Sequence, residues 1–194
     1  MEVLGPSNIE GPGEAAFVGN LNKIFFSHSI LMKIDFNEEM SNYDLMDIAN
    51  NYDLPLNDVI TKDKIPKKLL EGFYIINLDD STGQGTHWVV LCKRGKEICY
   101  FDSYGAPPSQ MLFETIKKGH KHAWYSDLII QDYNSVMCGY YCLVFMAYMN
   151  EREGSFKDIF KSFHDLFKDN SVSTDNKIGK QNDKLARKLF NHYF

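Results

Sequence analysis

The run "CGYYCLVFMAYMN" at 138–150 constrains this chain more than any other feature. It is apolar around its whole circumference, as a helix buried on every side would be. Such a helix cannot stand at a surface, so other elements must cover it all round. The chain has 194 residues, about one domain's worth, and 44% of them are hydrophobic, so the cover is available. Charged residues make up 24%, an ordinary globular share that argues against disorder of the whole chain.

The formal net charge of −5 gives no bulk reason to bind nucleic acid or a membrane surface. The basic strings "KDKIPKK" (62–68) and "KKGHKH" (117–122) read as solvated surface. No apolar run reaches the roughly 18 residues that a membrane span needs. The first residues lack a basic start and a long apolar segment, so no secretory signal is expected. Four cysteines, Cys92, Cys99, Cys138 and Cys142, form no C-x-x-C pair. That usage fits a reducing compartment better than a disulfide scaffold.

Three Gly–Pro or Pro–Gly junctions in residues 1–16 predict an irregular arm in front of a single domain spanning 1–194. Residues 21–36 are apolar and fit strand or helix. Residues 40–53 predict a short helix capped by Ser41, with Tyr43, Met46, Ile48 and Ala49 as its apolar face. Residues 54–69 read as a turn-rich connector. Three short β-branched and aromatic runs follow, "GFYIINL" (72–78), "THWVVLCK" (86–93) and "EICYFDS" (97–103). "KRGK" between the last two predicts a hairpin with its turn at 94–95. Residues 109–119 predict a helix capped by Ser109, and residues 123–134 a further strand. Phe156, Phe160, Phe163 and Phe167 recur at helical spacing, and the last twenty residues predict one more helix. The predicted class is α+β, a small, mostly antiparallel sheet with helices before and after it.

Chemistry is concentrated at the ends of these elements. Cys138 opens the apolar helix, where unpaired N–H groups and the positive dipole end favour a thiolate. Gly139 beside it would leave the backbone open to a substrate. Position alone leaves Cys138 open between a packed thiol and a nucleophile, since free cysteine is among the most buried residue types. Cys142, one turn further on, reads as core. A nucleophilic cysteine also needs a base, a group to orient the base, and donors for a developing oxyanion. His87 starts one strand of the predicted hairpin and Asp102 ends the other. They lie nearly symmetric about the turn, so antiparallel pairing brings them to one rim. Gln131, at the end of the next predicted strand, could donate its side-chain amide to an oxyanion beside the backbone N–H of Cys138. A zinc site on the four cysteines is the competing assignment, but their spacings do not match zinc-knuckle spacing.

The order His, Asp, Gln, Cys and the strings "GTHWVV", "YFDSYG" and "QDYNSVMCGYYC" resemble the adenovirus-type (adenain-like) cysteine proteases. The last string fits that family's Q-x-x-N-S-x-x-C-G-x-x-C pattern. Over about 41–150 the chain is most similar to the versions carried by virophages and polinton-type elements. The resemblance implies a papain-like cysteine protease fold in permuted order, with the histidine before the cysteine. Cys138 would be the nucleophile, His87 the base and acid, Asp102 the orienting acid and Gln131 the oxyanion donor, with Trp88 packing beside them. It implies a cysteine endopeptidase that cuts viral capsid or core precursors at Gly-containing sites during virion maturation. Such an enzyme would act in the virion and the host-cell cytoplasm, off the membrane and as a monomer. The adenoviral enzymes take an activating peptide through a cysteine upstream of the glutamine, and this chain has none between Cys99 and Cys138. This argues against a covalent peptide cofactor, and the acidic balance argues against DNA as a cofactor; no cofactor is expected, and no more than a weak association with packaged DNA. "IEGPG" (9–13) fits apolar-x-Gly-x-Gly and suggests self-processing between Pro12 and Gly13. Two other functions compete: a protease for ubiquitin-like tails, whose glutamine usually stands one residue nearer the cysteine, and a non-catalytic virion scaffolding protein with the same fold.

Overall fold

The computed structural model describes residues 1–3, 34–173 and 175–194. The segments 21–33 and "IEGPG", and all of the predicted arm after Val3, lie outside the described residues. In chain order the elements are β1 (Glu2–Val3), α1 (Asn42–Asn51), β2 (Leu56–Thr61), β3 (Gly72–Asn77), β4 (Trp88–Arg94), β5 (Glu97–Phe101), α2 (Gln110–Lys117), β6 (His122–Tyr125), α3 (Cys138–Asn150), α4 (Phe156–His164) and α5 (Lys177–Tyr193). The chain is α+β: one sheet, ordered β1-β6-β5-β4-β3-β2, with helices on both faces.

Alternation along the strands explains the two faces. Phe73, Ile75, Val90, Cys92, Cys99 and Phe101 point to one side, where α1, α3, α4 and α5 close a large core. Tyr74, Ile76, Val89, Leu91, Ile98 and Tyr100 point to the other, where Leu112 and Ile116 of α2 cover them. A sheet covered on both sides needs continuous apolar strands, which is how β3, β4 and β5 read. Helix α3 lies within the large core, buried from Gly139 to Met149 as its composition demands. Phe145 stacks on Phe101, with ring centroids 4.5 Å apart, and meets Phe160 and Phe163 of α4 edge-on.

Several sequence expectations are corrected. The presumed connector at 54–69 contains β2, which pairs in parallel with β3. Its burial is uneven and its Asp and Asn interrupt the apolar pattern, so no strand signal showed. The sheet is antiparallel only at its centre, β3-β4-β5, while β1, β6 and β2 add in parallel at the flanks. The strand foreseen at 123–134 ends at Tyr125, and Gln131 stands in the loop beyond it. In α1 Ser41 caps the helix as foreseen, and the structure adds a capping box with Asp44, but Leu45, Ile48 and Ala49 are buried while Tyr43 is 72% exposed.

His164 belongs to this core and not to a site. Its Nδ1 bonds the Phe160 carbonyl at 3.0 Å, and its Nε2 has no partner among the described residues. Burial pushes its pKa down from 6.5 to about 4. The unfolded chain therefore takes up a proton that the folded chain refuses, and stability falls as pH drops from about 6.5 to about 4. The loss from this group should be roughly 3 kcal/mol or less. Urea unfolding at a series of pH values should show a shallower acid slope in His164→Phe than in the wild type.

Candidate active site

His87, Asp102, Gln131 and Cys138 all come to one cleft or its immediate wall. The β4–β5 hairpin supplies the first two. Its ladder pairs Arg94 with Glu97 and Val90 with Phe101, so partner numbers sum to 191 and the turn centres at 95–96. Gly95 takes φ +57°, the left-handed conformation that this turn needs. The centre lies one residue beyond the one foreseen. Continuing that register places Tyr104, not Asp102, across from His87, which stands one residue before β4. Asp102 is reached on the diagonal: His87 Nε2 and Asp102 Oδ1 are 2.8 Å apart. The Tyr104 ring lies over the imidazole instead, with centroids 4.8 Å apart.

Asp102 is 2% exposed, so its charge must be matched by donors. Oδ1 also accepts the backbone N–H of Tyr104 at 2.8 Å, and Oδ2 accepts the Tyr100 hydroxyl at 3.3 Å. These bonds hold the carboxylate where it can hold His87. With Nε2 taken by Asp102, Nδ1 is the ring nitrogen left for Cys138. Burial alone would lower the imidazole's pKa. Hydrogen bonding and charge from Asp102 and Cys138 outweigh it and raise the pKa to about 9. The imidazole is therefore cationic at neutral pH, held between an anionic carboxylate and the sulfur.

Cys138 is the first residue of α3, which follows Met137 with no side-chain cap. The N–H groups of the first turn therefore stay available at the sulfur's end of the helix. The space beside Gly139 is not open to substrate, contrary to expectation. A Cβ there would stand 3.0 Å from Met40 Cβ and 3.4 Å from Leu45 Cδ2. Gly139 instead lets the strap before α1 pack on α3, and Trp88 Nε1–H fixes that strap through the Met40 carbonyl at 3.0 Å. Cys142 is fully buried, and burial pushes its pKa well up. Cys92 and Cys99 are buried cross-strand neighbours on the core face of β4 and β5.

Gln131 is fully buried in the loop after β6. Its Oε1 accepts from Ser103 Oγ at 2.7 Å, and its Nε2 donates to the Ser135 carbonyl at 2.9 Å and to the Tyr104 hydroxyl at 3.1 Å. A carbonyl can only accept, so the amide orientation is fixed. Both amide hydrogens are thus committed before any substrate arrives. Tyr104 is the residue of this cluster that sequence reasoning missed. It stacks on the His87 imidazole, donates its backbone N–H to Asp102 and holds Gln131 through its hydroxyl. Burial, then the charge of Cys138, raises its pKa to about 12, so the phenol stays protonated. A correct hairpin register would have pointed to it.

Two outcomes test this arrangement. Histidine NMR titration should give His87 an apparent pKa near 9, and Asp102→Asn should move it down toward 6.5, because the raising charge and the best acceptor are gone. In the linkage sense, the raised pKa contributes stability that is present below about 6.5 and is lost as pH rises through about 9. Tyr104→Phe keeps the ring but leaves a buried Gln131 N–H without its acceptor. Urea unfolding should report a loss of about 1–3 kcal/mol.

Among known proteins, no family model matches the chain, and no curated protein matches its sequence. Two solved structures of the ASFV pS273R protease are similar. A selenomethionine form has 23% identity and a TM-score of 0.38, over 63% of this chain and 44% of that one. A second form has 16% identity and a TM-score of 0.42, over 64% of this chain and 62% of that one. The chain thus spans less than two thirds of the length of either.

Proposed function

We propose that the chain is a cysteine endopeptidase with Cys138 as nucleophile and His87 as its base and acid. One observation carries the reading: an imidazole held by a buried carboxylate faces a half-buried thiol at a helix N-terminus, inside one cleft of about 570 Å3. A sulfur beside an imidazole at a helix N-terminus is the arrangement of a cysteine nucleophile with its proton carrier. The sulfur attacks the scissile carbonyl carbon, the C–S bond forms, and the carbonyl electron pair moves onto oxygen. The backbone N–H of Cys138 and the Gln131 amide receive that oxygen, the amide by giving up its bond to Tyr104. Collapse breaks the C–N bond as His87 passes its proton to the leaving amine. Water, deprotonated by His87, then hydrolyses the thioester.

The resemblance noted in the sequence supports the finer assignment. On this reading the substrates are capsid or core precursors, cut at apolar-x-Gly-x-Gly type sites. The enzyme works as a monomer in the host-cell cytoplasm and the virion, with no cofactor. The seven-residue spacing from Gln131 to Cys138 favours this over a protease for ubiquitin-like tails. The test is a proteome-derived peptide library digested with wild type and with Cys138→Ala, with new termini identified by mass spectrometry. Wild type should generate termini at Gly-containing sites that Cys138→Ala does not. Identical termini in both digests would overturn the proposal.

A further inference from the structure

The cleft that holds Cys138 does not end at the thiol. It meets a second cleft of about 520 Å3 at Ser135 and Val136, which line both. The two halves differ in charge. In the half that holds Cys138, the charged lining residues other than His87 are Glu39 and Asp80, both exposed, and no lysine or arginine lines it. Asp80 lies 3.7 Å from Lys62, a partial match to its charge, which leaves Glu39 as the freer anion. In the second half the exposed charges, Lys180 and Lys184, are cationic, and half-buried Arg187 adds a third. Lys180, Lys184 and Arg187 follow one another at four- and three-residue spacing, so one stripe of α5 carries all three.

That basic stripe has no carboxylate within salt-bridge distance among the described residues. Arg187 lies over the Phe36 ring at 5.4 Å, and its Nε is buried with no hydrogen-bond partner among the described residues. The carboxylates in the same half, Asp132 and Asp183, are buried and already engaged. Asp132 accepts from Asn134 N and from Asn176, and Asp183 accepts from Asp132 N and the Tyr141 hydroxyl. Those bonds all fall on Oδ1, and neither carboxylate forms a salt bridge with the stripe; their two charges offset it only in part, leaving three cations against two anions in this half.

From this polarity, and resting on the proteolysis reading above, we infer that the cleft selects an extended polypeptide of opposite polarity. The substrate carries acidic residues on the α5 side of the cut and basic residues on the Glu39 side. Rim charges of this kind steer encounter and fix register more than they add affinity. The preference should therefore be modest and salt-sensitive.

Three internally quenched peptides test this. All share a Leu-Ala-Gly-Ala-Gly core, flanked by Glu-Glu and Lys-Lys, by the same pairs exchanged, or by Ser-Ser on both sides. Fluorescence anisotropy measures their binding to Cys138→Ala, and wild type measures their cleavage. One polarity should bind and react about tenfold better than the neutral peptide, the exchanged one worse, and high salt should erase the difference. Lys180→Glu combined with Lys184→Glu should bring the ratio of the preferred to the neutral peptide to about one. Equal binding of all three peptides, no binding of any, or a preference unchanged in the double variant would overturn the inference. Charge-dependent binding without any cleavage would sustain it and count against proteolysis. Cleavage without charge preference would do the reverse.

Discussion

The site depends on keeping one charge, that of Asp102, out of water. A carboxylate that is 2% exposed is tolerable only when hydrogen-bonded, and this one has three donors: the imidazole, a backbone N–H and a phenol. Each donor is fixed by something else. The hairpin register places Tyr100 and Tyr104 on either side of the aspartate. The bend after β5 turns the Tyr104 N–H back on Oδ1. The imidazole is 12% exposed, and it is pinned between the carboxylate and the Tyr104 ring over its face. The sheet thus sets the orientation of the His87 imidazole, and Asp102 and Cys138 together raise its pKa against the effect of burial.

The second half of the site is built on a loop that has no strand partner. Between Ser126 and Met137 the backbone runs beside the sheet with no ladder along it, so its polar groups need other partners. Ser103 O accepts from the N–H groups of Ile130 and Gln131. Asn182 of α5 donates to the Ile130 carbonyl at 2.9 Å, and Asn170 donates to that of Gln131 at 3.3 Å. Gly179 allows the approach, since a Cβ there would lie 2.8 Å from the Asp132 backbone. The C-terminal helix, far from the cysteine in sequence, therefore holds the loop that carries Gln131 and presents the basic stripe next to it. One element does both, which couples the shape of the site to its charge.

Much of this was legible in the chain. The all-apolar run gave α3 and its burial, because no other position could hide every face. The alternating runs gave β3, β4 and β5. The Ser41 cap, the Ser109 cap and the phenylalanine spacing gave α1, α2 and α4. His87 and Asp102 could be brought together because a hairpin is a local object whose geometry follows from its turn. The misses have physical causes. β2 is half-exposed at an edge and lacks a continuous apolar pattern. Residues 126–134 look like a strand because their apolar residues are buried, but by α5 and the core helices instead of by a ladder. Gly139 looked like an opening because nothing local shows that Met40 and Leu45 fill it.

The sequence by itself determined which residue types were available for nucleophile, base and orienting acid. It also determined that the cysteine starts a buried helix and that two of the four groups share a hairpin. Those are short-range facts, governed by periodicity, caps and turns. Tertiary structure alone decided that the hairpin register stacks Tyr104 on His87, and that Gln131 has both amide hydrogens committed. It alone placed Lys180, Lys184 and Arg187 beside the cleft. Those facts depend on contacts between segments tens of residues apart, fixed by packing and by the need to satisfy buried polar groups, which no local pattern records.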